Sequence, residues 1–194
     1  MTSPGLREKK KARTRRTIRE HALRLFTAQG FGPTTVDQIV EAAEVSSSTF
    51  FRYFATKEQI VLDNAVDPVM ITAVRNLPEG AAPVEGLRGA VLAALADWDG
   101  TDDEMLMCTK LAFTEPGLRA SRADHVFATQ EALAAILAEH LGRGADDLEV
   151  HAFAFAAVGA WGSALQAWAR EDGRQPLSAY VGRALAFVEG GLRF

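Results

Sequence analysis

Apolar positions recur along this chain with a period near that of a helix, and no run of strictly alternating apolar and polar residues predicts a strand. From Arg13 the residues Ile18, Ala22, Leu25 and Phe26 fall on one helical face, with Arg15, Arg16, Arg19 and Glu20 off it. Gly30, followed by Phe31, stands where a left-handed residue closes a helix. Thr35 is a good N-cap for a second helix, and Gln38 three places on completes a capping-box signature. Val36, Ile39, Val40 and Ala43 form that helix's inner stripe, which can run only to about Glu44. Ser46 then caps a third helix, "SSTFFRYF", in which Phe50 and Phe54 share a face. Thr56 with Gln59 repeats the signature and opens a fourth, carrying Ile60 and Val61.

The remainder also reads as helices. "LPEGAAP" (Leu77–Pro83) is a loop, and Leu87, Val91, Leu92, Leu95 and Trp98 make the next stripe. "DGTDDE" caps a helix carrying Met105, Leu106, Leu111 and Phe113, which "TEPGL" (Thr114–Leu118) breaks. A long helix runs from about Ser121 to Leu141 and ends at Gly142 and Gly144. Two more, near Asp147–Glu171 and Pro176–Glu189, finish the chain. The expected fold is all-α, with an N-terminal three-helix helix-turn-helix domain followed by a helical-bundle domain. Its expected parts are a flexible basic arm over residues 1–8, the helix-turn-helix domain over 9–62 and the helical-bundle domain over 63–194.

Charge sharpens the division. Residues 1–62 carry 11 Lys+Arg against 6 Asp+Glu, whereas residues 63–194 carry 10 against 19. A basic head on an acidic body points to a polyanion partner for the head. The single cysteine, Cys108, has no internal disulfide partner and suits a reducing cytoplasm. The uncharged stretch Ala152–Trp168 is short for a bilayer span, is flanked by no basic cluster and reads as a buried helix, so no membrane association is expected.

The third helix explains the cluster of hydroxyls beside aromatics. Buried on its Phe50/Phe54 side, it presents Ser47, Ser48, Phe51 and Arg52 on the other. Small residues let the backbone approach a groove edge, hydroxyls bond phosphates or bases, and the aromatic-basic end lies against sugar and phosphate.

The segment "TTVDQIVEAAEVSSSTFFRYFATKEQI" resembles the DNA-binding segment of the TetR family of bacterial transcriptional regulators, over about fifty residues from Thr14 to roughly Asn64. The resemblance implies that Thr35, Ser46, Ser47, Ser48, Thr49, Phe51, Arg52, Tyr53 and Lys57 occupy positions that meet double-stranded operator DNA, with Lys57 on a phosphate. Two departures stand out. Glu44 occupies a turn position that is usually glycine, which implies mild strain in a left-handed backbone or a slightly different turn. Phe51 replaces a tyrosine and lacks its hydroxyl. The family likeness further implies that 9–62 is a helix-turn-helix DNA-binding domain, that 63–194 is a helical-bundle ligand-binding (effector-binding) and dimerisation domain, and that a homodimer joined through the last two helices binds a palindromic operator.

A regulator of this kind resembles a ligand sensor, and a small hydrophobic or amphipathic effector is the expected partner. Trp98, Met105, Met107, Cys108, Phe113, Phe127 and Trp161 are candidate pocket residues, although each also suits plain core. Arg119, Arg122 and His125 could meet an anionic ligand or simply form a solvated face. The "FTEPGLRA" stretch and the residues C-terminal to it resemble the sensor half of mycofactocin-type regulators, for which acyl thioesters are suggested effectors.

Enzyme chemistry finds no support. The four histidines are scattered, "GAWGSA" is not a nucleophile elbow, and no catalytic constellation, metal site or cofactor motif is evident. The reading is a ligand-responsive repressor; alternatives are an activator, a regulator controlled by a protein partner, or a helical protein that binds an apolar metabolite without any DNA function.

Overall fold

The computed structural model describes residues 6–62, 66–77, 83–96 and 102–191. Among them all regular structure is helical: α1 (Leu6–Gln29), α2 (Val36–Ala42), α3 (Ser47–Tyr53), α4 (Lys57–Leu62), α5 (Val66–Arg75), α6 (Pro83–Ala96), α7 (Asp102–Thr114), α8 (Arg119–Leu141), α9 (Leu148–Arg170) and α10 (Leu177–Glu189), with a 3-10 turn (Pro116–Leu118) before α8. The chain divides into two compact units, Met1–Leu62 and Asp63–Phe194. Part of the expected arm (residues 1–5), most of the Leu77–Pro83 loop (78–82), Trp98 and the 99–101 cap of α7 lie outside the described residues.

In the first unit α1 begins at Leu6, earlier than the apolar stripe alone suggests. The added turns are dominated by Lys, Arg, Glu and Ala, good helix formers that need no buried face. Ile18, Ala22, Phe26, Ile39, Phe50, Phe54, Ile60 and Val61 are buried and close a small core. Phe31 turns back onto Phe26, with ring centroids 4.9 Å apart, and Phe50 and Phe54 lie 5.9 Å apart. A core this aromatic compensates for the unit's size, since each large ring buries more than an aliphatic side chain.

The caps follow the sequence signals. Thr35 and Gln38 form the reciprocal box, Gln38 N to Thr35 Oγ1 at 3.2 Å and Thr35 N to Gln38 Oε1 at 2.9 Å. Thr56 accepts from Gln59 N at 3.4 Å, but the Gln59 amide oxygen reaches past it to Ala55 N at 2.7 Å.

In the second unit α9 is the central helix, packed by α7, α8 and α10, while α6 packs on α5 and α10. Its length and composition would allow a membrane crossing; here its buried face (Ala154, Ala157, Trp161, Ala164, Trp168) meets Leu133 and Leu137 of α8 and Val181 and Leu185 of α10 in one core. Gly142 closes α8 with φ 62°, where a side chain would be strained. Asp147 caps α9, accepting from Glu149 N and Val150 N at 3.0 and 3.1 Å. Desolvation raises the pKa of its carboxyl, but hydrogen bonds from the α9 amides and Arg143 outweigh this and leave it below the usual value. The turn into α10 is tied by Trp168 Nε1–H to the Gln175 carbonyl at 3.0 Å and by Tyr180 O–H to Glu171 at 2.7 Å. That bond to Glu171 holds the Tyr180 phenol proton and raises its pKa.

On α7 the buried face differs from the expected stripe. Met105, Cys108, Thr109 and Ala112 are buried, spaced as one helical face, whereas Leu106, Leu111 and Phe113 are half-buried. The face that packs runs through Met105 and smaller residues and not through the bulkier Leu111 and Phe113.

Candidate nucleic-acid interface

The outer face of α3 is built by its caps and its core side. Ser46 Oγ accepts from Thr49 N at 3.1 Å and lies 3.0 Å from Ser48 Oγ and 2.9 Å from Thr49 Oγ1, so the serines and threonine form a connected hydroxyl cluster. With Phe50 wholly buried beneath, Ser47, Ser48, Phe51 and Arg52 stand exposed, and Thr49 and Tyr53 are half-buried at the edges. Phe51 is 55% exposed although apolar, held edge-on to Phe50 at 5.3 Å. Arg52 lies over the Tyr53 ring, 5.2 Å from its centroid. Thr35 is exposed at the start of α2. The structure thus gathers the expected α3 residues onto one hydroxyl-rich, aromatic-basic surface.

Between α2 and α3, Glu44 takes φ 52°. This is the left-handed conformation that its position implied, and a non-glycine residue holds it at a cost. The tight turn is closed by Val45 N to the Val40 carbonyl at 3.1 Å.

Lys57 sits differently from the expectation of a phosphate contact. Its ammonium donates to the carbonyls of Phe31, Gly32 and Thr34 at 2.8, 3.1 and 2.9 Å. An ammonium has three donors, so all are committed to the α1–α2 loop. The same nitrogen lies 4.4 Å from the Phe31 ring centroid. Arg19, which sequence reasoning passed over, plays a matching part: its guanidinium makes two bonds to the Ile60 carbonyl, at 3.2 and 3.0 Å, in the last turn of α4. Thr34, buried and also passed over, bonds the Gly30 carbonyl at 2.7 Å and accepts from Gln29 at 3.2 Å.

In the second unit the pocket candidates scatter. Met105, Cys108 and Trp161 are buried, Met107 and Phe113 half-buried, and Trp98 lies outside the described residues. Phe127 is 57% exposed and meets Phe155 edge-on at 5.8 Å, on the outside of the bundle. Arg122 donates to the Ala112 carbonyl at 2.7 Å and covers the Phe113 ring at 4.7 Å, so it braces the α7–α8 corner.

A helix-turn-helix followed in the chain by a helical bundle is shared by several regulators, and comparison with known proteins separates them. The family model described as the MftR C-terminal domain matches residues 81–193, and that of the tetR family of bacterial regulatory proteins matches residues 18–63. The chain belongs to the TetR family. TcmR of Streptomyces glaucescens, an HTH-type transcriptional regulator, is 38% identical over 152 residues, 74% of this chain and 67% of that one. MftR of Mycobacterium tuberculosis, named for mycofactocin biosynthesis, is 26% identical over 188 residues, 95% and 93% of the two chains. Thermus thermophilus FadR, a TetR-family repressor solved with lauroyl-CoA, aligns at TM-score 0.55 and 27% identity over 93% of this chain and 95% of its own. This TetR-family protein is therefore a transcriptional regulator and not an enzyme.

Proposed function

We propose that this TetR-family regulator is a repressor that occupies a palindromic operator as a homodimer and is released by an acyl thioester. The α3 surface carries the reading: Ser47, Ser48, Phe51 and Arg52 stand outward from a helix fixed by a buried phenylalanine. Ser47 and Ser48 approach the bases, Ser46, Thr49, Tyr53 and Thr35 meet the backbone, and Arg52 pairs with phosphate. Lys57 acts from behind by holding the loop that presents Thr35.

The second unit, residues 63–194, supplies dimerisation and sensing. On α9 the exposed residues Leu148, Ala152, Phe155, Gly159 and Ser163 form one helical stripe. A Cβ added at Gly159 or Gly162 would meet nothing within 4 Å, so packing inside one chain does not require glycine there. A second copy of α9 and α10 covers that stripe and sets half-sites about 34–36 Å apart or a longer spacing. Support for an acyl thioester comes from likeness to a repressor solved with lauroyl-CoA and from a match to the MftR C-terminal model. Effector binding in the buried interior, which includes Met105, Cys108 and Trp161, favours a dimer spacing that the operator does not accept. The protein works in the cytoplasm, beside the chromosome.

The test is a salt-titrated gel shift on DNA upstream of its own gene and on DNA selected from random sequence, with Ser48→Glu beside the wild type. A discrete complex that weakens steeply with salt, is lost by at least ~100-fold in Ser48→Glu and is released by long-chain acyl-CoA is expected. Normal binding by Ser48→Glu would remove the α3 assignment, and failure to select any DNA would remove the operator-binding reading.

A further inference from the structure

Buried side-chain polar atoms in a folded protein almost always have a partner. Among the described residues two do not: Thr109 Oγ1 on α7 and Trp161 Nε1 on α9. Both side chains lie on the buried faces of helices that pack together, at 2% and 4% exposure.

Each contrasts with its own kind elsewhere in the chain. Thr14, Thr17, Thr27, Thr114 and Thr129 all return their hydroxyl to the carbonyl four residues earlier, at 2.8 to 3.1 Å. That bond is open to any threonine within a helix, yet Thr109 does not make it. Trp168, seven residues after Trp161 on the same face, donates its indole N–H to the Gln175 carbonyl at 3.0 Å. The Trp161 N–H has no such acceptor, and an indole can only donate. The other buried residues of α7 and α9 are apolar, among them Met105, Cys108 and Ala112 on α7 and Ala157, Val158 and Ala164 on α9. An apolar interior with two unmatched donors suits a ligand that is a hydrocarbon chain bearing a hydrogen-bond acceptor.

We propose that Trp161 Nε1 and Thr109 Oγ1 are the donors that receive the acyl carbonyl oxygen of the effector inside the second unit. This rests on the acyl-thioester reading of the protein's function and adds the atoms that recognise the head of the chain. A carbonyl oxygen has two lone pairs and takes both hydrogens, while the alkyl chain lies along the apolar faces. A site built to hydrogen-bond a polar group discriminates strongly against an analogue lacking it, because the donors are then left buried and unpaired.

The test uses the protein with Thr109→Val, which keeps shape and removes one donor, and Trp161→Phe, which removes the other donor and leaves a smaller ring. Calorimetry measures binding of dodecanoyl-CoA and of S-dodecyl-CoA, a thioether with no carbonyl. Thermal unfolding is followed without ligand. Each variant is expected to bind dodecanoyl-CoA roughly 3–10-fold more weakly, as for one lost neutral hydrogen bond. S-dodecyl-CoA should bind the wild type more weakly than dodecanoyl-CoA, and it should lose no further affinity in either variant. The ligand-free Tm should stay level or rise in Thr109→Val, since an unpaired buried donor has been removed, and should fall in Trp161→Phe only by what the smaller ring costs. Wild-type affinity for dodecanoyl-CoA in both variants overturns the inference. So does a ligand-free Tm lowered by several degrees in Thr109→Val, which would mean that its hydroxyl is already paired. A wild type that binds neither compound removes the acyl-thioester reading itself, and the assignment of these atoms to that carbonyl falls with it. A level or raised ligand-free Tm of Thr109→Val would then still mark its hydroxyl as unpaired, a pattern distinct from binding without discrimination.

Discussion

Lys57→Met removes the ammonium while keeping the stem. Two of its acceptors, the Phe31 and Thr34 carbonyls, are part-buried, and the Gly32 carbonyl is exposed. A hydrogen bond to a charged group contributes about 1.5–3 kcal/mol net, and partial exposure puts the two buried ones at the low end. The exposed bond is replaced by water and adds little. The cation over the Phe31 ring at 4.4 Å contributes a further ~0.5–1 kcal/mol. Bonds from one ammonium do not add fully, so the loss of local stability is about 2–3 kcal/mol. Amide hydrogen exchange across residues 31–40 should then speed up by roughly 30–150-fold, because local opening sets that rate. Affinity for operator DNA should fall while the slope of log K against log salt stays unchanged, since no phosphate contact is lost. A slope smaller by ~0.9 with unaltered exchange would refute this account and place the ammonium on a phosphate.

Glu44→Gly relieves a left-handed residue at φ 52°. That conformation costs a non-glycine about 1–2 kcal/mol, against ~0.4–1 kcal/mol of added chain entropy in the unfolded state. Slower exchange in α2 and α3, by a fewfold, is the expected sign, and faster exchange would contradict the strain. Gly159→Leu meets open space within its own chain and should leave the circular dichroism intact while light scattering reports monomers; an undisturbed dimer would exclude this face. Asp147→Ala, which loses the α9 cap and the Arg143 partner, should lower Tm by about 2–4 °C near neutral pH. Because the folded carboxyl titrates below its ordinary 3.8, its contribution is fully present above that pH and fades as pH falls through the lower folded value. The wild-type and Asp147→Ala curves should converge in acid, and a constant gap down to pH 2 would show that the charge contributes nothing.

What could be read from the residues alone was what chemistry makes local. Thr35 with Gln38, Ser46, Gly30 and Gly142 announce helix ends because capping is decided within a few residues. The α3 surface was legible for the same reason: a seven-residue helix with two phenylalanines on one side has only one other side. Contacts across the fold were not legible. Nothing in the spacing of Arg19 and Ile60, or of Lys57 and the residues around Gly32, joins side chain to carbonyl before the helices have packed. Thr109 was hidden by size: Leu106, Leu111 and Phe113 drew the stripe away from the face that α7 buries. Phe127 was misplaced for the opposite reason, since an aromatic side chain carries no mark of whether its neighbours come from its own chain.

The two ties on α4 bear on how force passes through the molecule. Lys57 fastens the helix's first turn to the α1–α2 loop, and Arg19 fastens its last turn to α1. A short helix would ordinarily fray under tension, but this one is riveted at both ends. A tug arriving along the backbone at Leu62 cannot unwind α4 without breaking bonds to two other elements. The load is shared with α1 and the α1–α2 loop before α4 can unwind.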